Sequence, residues 1–181
     1  TRMQPGWICT AGIDLESGRP IRPMAHGLLS RNLLHTEGGP LGLGHVVDLG
    51  ATEFCGQVPE IEDRRFEVAN LSAIRHADYE ELFQACRAQA KYLLREIFGQ
   101  DLHWINHLDQ RPGTAAVEQY AGIRSLGCYF AKGARLCVND SPRGQRLRIL
   151  FQEEERKFSV PVTDFRLFLS DHKTPDVRAV S

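Results

Sequence analysis

The chain has 181 residues, is 42% hydrophobic and 25% charged, and carries a formal net charge of −1. That length supports one large domain or two small ones, with a core that needs no disulfide or metal staple. The near-zero charge excludes a chain that is basic throughout. No run approaches the roughly 18 apolar residues that span a bilayer, and no apolar leader follows a basic start. The sequence alone therefore reads as cytoplasmic, with no membrane contact. Five cysteines, at 9, 55, 86, 128 and 137, are odd in number and widely spaced, with no CxxC. They predict free thiols rather than a disulfide framework or a zinc ribbon.

Charge is uneven along the chain. Residues 1–110 hold 10 Lys and Arg against 15 Asp and Glu, whereas residues 111–181 hold 12 against 8. A nucleic-acid surface would have to be a local patch, weighted to the C-terminal part.

In chain order, "GWICTAGI" predicts a strand with Trp7, Cys9, Ala11 and Ile13 on one face. Its start is abrupt, as though a strand preceded it. "DLESG" (Asp14–Gly18) predicts a turn, with Gly18 at a positive φ. "RPIRP" continues as an edge strand, because its prolines cannot donate to a ladder. Residues 25–43 read as a Gly- and Leu-rich loop, and "GHVVDLG" as a short apolar strand. An acidic loop then leads to a strand at Phe66–Val68.

Residues 78–98 predict one long amphipathic helix. Asp78 is the cap, Glu81 stands in the capping-box position, and Gly99 is the C′ residue. Its stripe of Tyr79, Leu82, Phe83, Cys86, Ala90, Leu93, Leu94 and Ile97 is expected to pack on a core. Residues 101–124 read as an irregular connector. Beyond it, "SLGCYFAKGARLCVND" predicts two short strands about Lys132–Gly133. "RLRILFQ" alternates strictly, with Arg146, Arg148 and Leu150 on one face and Leu147, Ile149 and Phe151 on the other. "EEER" is a turn, and "KFSVPV" sends Phe158, Val160 and Val162 inward. Asp164 caps a short helix or lies in a further strand.

Catalytic signatures are absent. There is no GxSxG, HExxH, GxxxxGK[ST] or GxGxxG. "GGPLGLG" lacks the lysine of a phosphate loop and reads as flexible. His103 and His107 stand four apart, but without a glutamate partner or a helix signal. Asp48, Glu53, Glu60, Glu62 and Asp63 have irregular spacing and read as a solvated acidic loop. The basic strand residues are the stronger lead. Arg146 and Arg148 share a face opposite an apolar one, and Lys132, Arg135 and Arg143 adjoin them. Such a strip suits a phosphate backbone, with Tyr129 near enough to stack. Arg19 and Arg22 add two N-terminal cations, on opposite faces by strand parity.

The order of "RMQPGWICTAGIDLESGRPIRPM", "GPLGLGHVVDLG", "PEIEDRRFEV", "SLGCYFAKGARLCVND", "RLRILFQ" and "KFSVPVTDFRLF" resembles the prokaryotic dual OB-containing domain family. The match spans roughly residues 5–170. It is carried by Ala11, Gly12, Asp14, Gly18, Ile21, Arg22 and Pro23, and by Val162, Thr163 and Asp164. The resemblance implies two OB-like barrels joined through a helical segment. It also implies an accessory module that binds nucleic acid or nucleotide, of a kind found with mobile-element and defence genes. No catalytic residue carries over.

The expected fold is thus mainly β with one long helix (α+β), as two OB-like β-barrel units joined through a helical segment. The expected boundaries are an N-terminal β unit at 1–76, helix and connector at 77–124, a C-terminal β unit at 125–170 and a tail at 171–181. The expected function is non-catalytic binding of single-stranded nucleic acid or a nucleotide, with no cofactor. Two alternatives stand beside it. One is a protein–protein adaptor inside a larger complex. The other is a metal-dependent enzyme using the acidic loop with His103 or His107.

Overall fold

The computed structural model describes residues 6–105, 113–140, 144–169, 174–176 and 178. These residues are rich in strands, with 13 of them and two α-helices. The chain divides into two compact units: one runs to Asp101 and takes in Gln119–Phe130, the other comprises Leu102–Glu118 and the residues from Ala131 onward.

The first unit contains β1 (Trp7–Ile8), β2 (Gly12–Ile13), β3 (Pro20–Met24), β4 (Leu29–Ser30), β5 (His45–Asp48), β6 (Thr52–Phe54), β7 (Asp63–Phe66) and β8 (Ser72–His76). They pair as β1 with β4, β5 with β8, and a four-stranded sheet in the order β2-β3-β7-β6. Among the described residues no sheet closes on itself. Ile8, Leu29, Leu41, Leu49 and Phe66 form the buried core.

The N-terminal run differs from the strand its alternation predicts. It is two short strands, and β1 pairs with β4 while β2 pairs with β3. The change of partner between them resets the facing. Ile8 is the core residue at 4% exposed, and Trp7 stays 40% exposed.

The hairpin turn before β3 is present as expected. Gly18 takes φ 66°, and the Asp14 carboxylate accepts from Glu16 N–H (2.9 Å) and the Ser17 hydroxyl (2.9 Å). The edge-strand expectation for β3 is overturned, because β3 lies between β2 and β7. The prolines are tolerated because no length of β3 has two neighbours. β2 reaches only Pro20 and Ile21, whereas β7 pairs in parallel with Arg22, Pro23 and Met24. Arg22 N–H donates to the Glu62 carbonyl (2.9 Å). By alternation Pro23 turns its nitrogen to the side that β2 has already left.

The Gly-rich loop is packed closely. The rings of His35 and His45 lie 4.4 Å apart, and those of His45 and His76 5.1 Å apart. A Cβ on Gly42 would stand 2.7 Å from His45 Cδ2, so only glycine lets the loop close over the imidazoles.

The long helix is interrupted. Its first part, α1 (Tyr79–Gln89), begins as expected, with Asp78 Oδ1 accepting the Glu81 N–H at 2.8 Å. Glu81 does not complete the capping box, because its carboxylate binds Arg75 instead. Helical bonding then stops. The Lys91 N–H donates to the Cys128 carbonyl, and the Phe130 N–H donates to the Lys91 carbonyl, each at 2.9 Å. These bonds replace an i→i−4 ladder with a strand-like bridge. The chain resumes as α2 (Leu94–Phe98), which ends at Gly99 with φ 89°. α1 has no fully buried residue, contrary to the expected core helix.

The second unit contains β9 (His103–Ile105), β10 (Thr114–Ala116), β11 (Arg135–Asn139), β12 (Arg146–Glu153) and β13 (Arg156–Pro161). β9 and β10 pair antiparallel inside the stretch expected to be an irregular connector. Strands β11, β12 and β13 form an antiparallel sheet in that order. The residues before β11 hold no second strand, only the bridge at Tyr129. Leu147, Phe151 and Phe158 are buried. Phe151 stacks on Phe158 at 5.0 Å, and Trp104 meets Phe158 edge-on at 4.5 Å. Asp164 caps a short 3-10 turn, Phe165–Leu167, by accepting the Arg166 N–H at 3.1 Å. The expected tail falls largely outside the described residues.

Candidate nucleic-acid interface

The register of β11, β12 and β13 fixes which side chains share a face. Directly paired residues point to the same side of a sheet. One face holds Leu136 with Ile149, Val138 with Leu147, and Phe151 with Phe158, of which Leu147, Phe151 and Phe158 are buried, and it ends at the Glu153–Arg156 pair beside the turn. The other holds Arg135 opposite Leu150, Cys137 opposite Arg148, Asn139 opposite Arg146, and Gln152 opposite Lys157. The alternation expected of "RLRILFQ" is therefore present, and Arg135 joins Arg146 and Arg148 on the basic face. Lys157 is a fourth cation there, and its parity relative to Phe158 is the sequence signal that places it outward.

The cations of this face differ in what they are free to do. Arg148 is half-buried, and its Nε donates to the Ser159 hydroxyl at 2.6 Å. Its Nη2 also donates to the Ser159 carbonyl. Ser159 itself is buried. The guanidinium thus ties β12 to β13, and two of its donors are already in use. Arg135, Arg146 and Lys157 are exposed. None of the three takes part in an ion pair among the described residues. By register Arg135 lies opposite a position four residues from Arg146, and Lys157 opposite one six residues away, so they stand roughly 13 Å and 20 Å along the sheet from Arg146, and at such spacings two charges in water repel by about 0.3 kcal/mol or less. The free face bears that easily, and a polyanion laid across it would turn each repulsion into an attraction.

Lys132 is exposed in the turn before β11. Arg143 lies outside the described residues. Tyr129 belongs to the first unit, where it is half-buried and bridged to Lys91.

Arg19 and Arg22, both in the first unit, part company. Arg19 is exposed at the end of the hairpin turn. Arg22 is held by Asp63, Nε to Oδ1 at 2.6 Å, with Glu60 at 3.7 Å, and its side chain is only 17% exposed. The hydrogen bond to Asp63 keeps its guanidinium above the ordinary arginine value. Its charge is matched inside the fold.

The acidic stretch is less solvated than the sequence suggests. Glu62 is 3% exposed and Asp63 is buried. Glu62 Oε2 accepts from the Ser125 hydroxyl at 3.0 Å. Its Oε1 is buried with no hydrogen-bond partner among the described residues. Asp48 Oδ1 accepts the Gly50 N–H at 2.7 Å. Among the described residues no three His, Cys, Asp or Glu side chains assemble in a way that could hold a metal ion. His103 is exposed on β9, and His107 lies outside the described residues. None of the five cysteines forms a disulfide, and all five are half-buried. Cys137 lies in β11, whereas Cys128 lies outside any strand.

No helix among the described residues is long and apolar enough to cross a membrane. No family model, curated protein or solved structure matches the chain.

Proposed function

We propose that the chain is a non-catalytic module that binds single-stranded nucleic acid or a nucleotide, as an accessory protein of a prokaryotic defence or mobile-element system. Two OB-like units joined through a helical segment are part of the same reading, which goes with the resemblance to the dual OB-containing domain proteins. The observation that carries it is the basic face of the β11-β12-β13 sheet. There Arg135, Arg146 and Lys157 stand exposed, in no ion pair among the described residues, on the side opposite the buried Leu147, Phe151 and Phe158. A sheet face with well-separated exposed cations offers several separate phosphate contacts, while the sheet's packed side supplies the rigidity. Lys132, in the turn before β11 of the same unit, would add electrostatic reach, and Arg19 is a separate exposed cation of the first unit. Arg148 and Arg22 would position the fold rather than the ligand, since each is bonded inside it.

The enzyme alternative loses support from the same geometry. Its best carboxylates, Asp63 and Glu62, are engaged by Arg22 and Ser125.

The test is a titration of labelled single-stranded DNA, single-stranded RNA, duplex DNA and a nucleoside triphosphate, followed by anisotropy at several salt concentrations. Binding to a single strand or to the nucleotide that weakens steeply with salt supports the proposal. Failure of all four to bind, or binding indifferent to salt, ends it.

A further inference from the structure

The sequence reading assigned the aromatic stripe of α1 to a core, and the structure leaves part of it in the open. Leu82, Ala85, Cys86 and Gln89 face inward and are half-buried. Tyr79 and Phe83 stand on the flank at i and i+4, and their rings lie 6.2 Å apart and nearly parallel, at 12°. Tyr79 is 78% exposed and Phe83 37%. Arg87 continues the row at i+8, exposed. Just beyond the end of α1, the Lys91 bridge brings a second pair together. Tyr92 and Phe130 lie 5.6 Å apart at 55°, and are 68% and 40% exposed. Lys91, between the two pairs in sequence, is also exposed.

Four large rings in water within one unit are costly unless something covers them. Two features say what that is. The exposed groups are mostly flat aromatic faces, with Leu93 as the one exposed aliphatic side chain among them. Arg87 and Lys91, the cations beside them, enter no ion pair among the described residues. The neighbouring carboxylates are engaged. Glu80 accepts from Gln84, Glu81 pairs with Arg75, and Glu96 Oε2 accepts the N–H groups of Tyr92 and Leu93. The local complement is thus a flexible polyanion carrying flat apolar rings.

We propose that this flank of the first unit, with Tyr79, Phe83, Tyr92 and Phe130 as stacking platforms and Arg87 and Lys91 as phosphate contacts, is a site for the unpaired bases of a single-stranded nucleic acid. It rests on the nucleic-acid reading above and adds to it a surface that reads base faces rather than charge alone. Tyr129, the aromatic singled out from the sequence, is replaced in that role by its neighbour Phe130.

The experiment compares an unmodified oligothymidylate with an abasic strand of equal length. It uses the wild-type chain, Y79A/F83A, Y92A/F130A and the sheet variant R135A/R146A, each checked for folding by circular dichroism. Stacking lost at a ring weakens binding on the order of 5- to 150-fold. The aromatic variants are expected to lose affinity for the base-bearing strand, to lose the preference over the abasic strand, and to keep the salt dependence of the wild type. The sheet variant is expected to keep that preference. If the wild type binds oligothymidylate and neither aromatic variant weakens it, or if it never prefers bases over the abasic strand, the stacking site is refuted while the basic sheet face stands. If the wild type binds neither strand, the stacking site is refuted, and the reading above is decided separately by the titration with RNA and the nucleoside triphosphate.

Discussion

Arg22 was one of the candidate ligand-binding cations, and the structure gives it a different task that can be measured. Its Nε lies 2.6 Å from Asp63 Oδ1, with side chains 17% and 12% exposed. Removing one partner strands the other in a site largely closed to water. Breaking a fully buried pair costs about 3–5 kcal/mol, and this pair retains an edge to solvent, so R22A should cost about 2–3 kcal/mol. R22M/D63L removes both charges and keeps much of the volume. It should therefore be far milder than either single change, within about 1 kcal/mol of the wild type. The chain has two tryptophans. Trp7 belongs to the first unit and Trp104 to the second, so urea unfolding followed by fluorescence in a W104F background reports the unit that holds the pair. An R22A loss below about 1 kcal/mol, or a double variant worse than R22A, would refute the assignment.

Other expectations follow from the same geometry. G42A should destabilise the first unit by about 1–3 kcal/mol, because its Cβ would press on His45 at 2.7 Å. H45A should recover much of that loss in the double variant, as read by urea midpoints. The Arg166 guanidinium holds the Asp164 carboxyl below its ordinary value. A depressed folded value contributes stability above about pH 4, the unfolded carboxylate range, and that contribution fades as pH falls through the folded value. The wild type should therefore lose more stability than D164N between pH 5 and pH 2, and parallel losses would contradict the pairing. Burial, with the Cys86 thiol beside it, pushes the Cys128 thiol up to about 11. At pH 8 only about one thousandth of it is thiolate. Iodoacetamide should label Cys128 slowly in the folded chain and readily in urea, as followed by peptide mass spectrometry, whereas rapid labelling when folded would overturn that environment.

The C-terminal sheet was the most legible part of the fold. β12 and β13 alternate strictly about a turn of charged residues, so parity alone placed Arg146, Arg148 and Phe158 on their proper sides. What parity could not give was occupancy. Arg148 meets a serine eleven residues away, and nothing in "RLRILFQ" distinguishes it from Arg146. The N-terminal run failed for a related reason. Two-residue strands that change partner carry no period, so alternation could not show that Ile8 is buried and Trp7 exposed. Proline chemistry was read properly for Pro20 and Pro23, but the conclusion assumed that a neighbour flanks a strand along its whole length. The helix start was legible in Asp78 and its end in Gly99. The break between them depends on Lys91 meeting Tyr129, a contact 38 residues apart in sequence. For the same reason the exposure of Tyr79 and Phe83 was invisible, since a helical stripe shows an apolar face but not whether anything covers it. β9 and β10, three residues each, are too short to carry a pattern.

The central claim is that the exposed arginines of the β11-β12-β13 face contact phosphates. It is tested most directly by the salt dependence of single-strand binding in the wild type and in R135A/R146A. Each phosphate contact contributes about 0.7 to the slope of log K against log salt. The account expects the double variant to bind more weakly, with a slope shallower by about 1.4. A slope unchanged from the wild type, with affinity also unchanged, would contradict it.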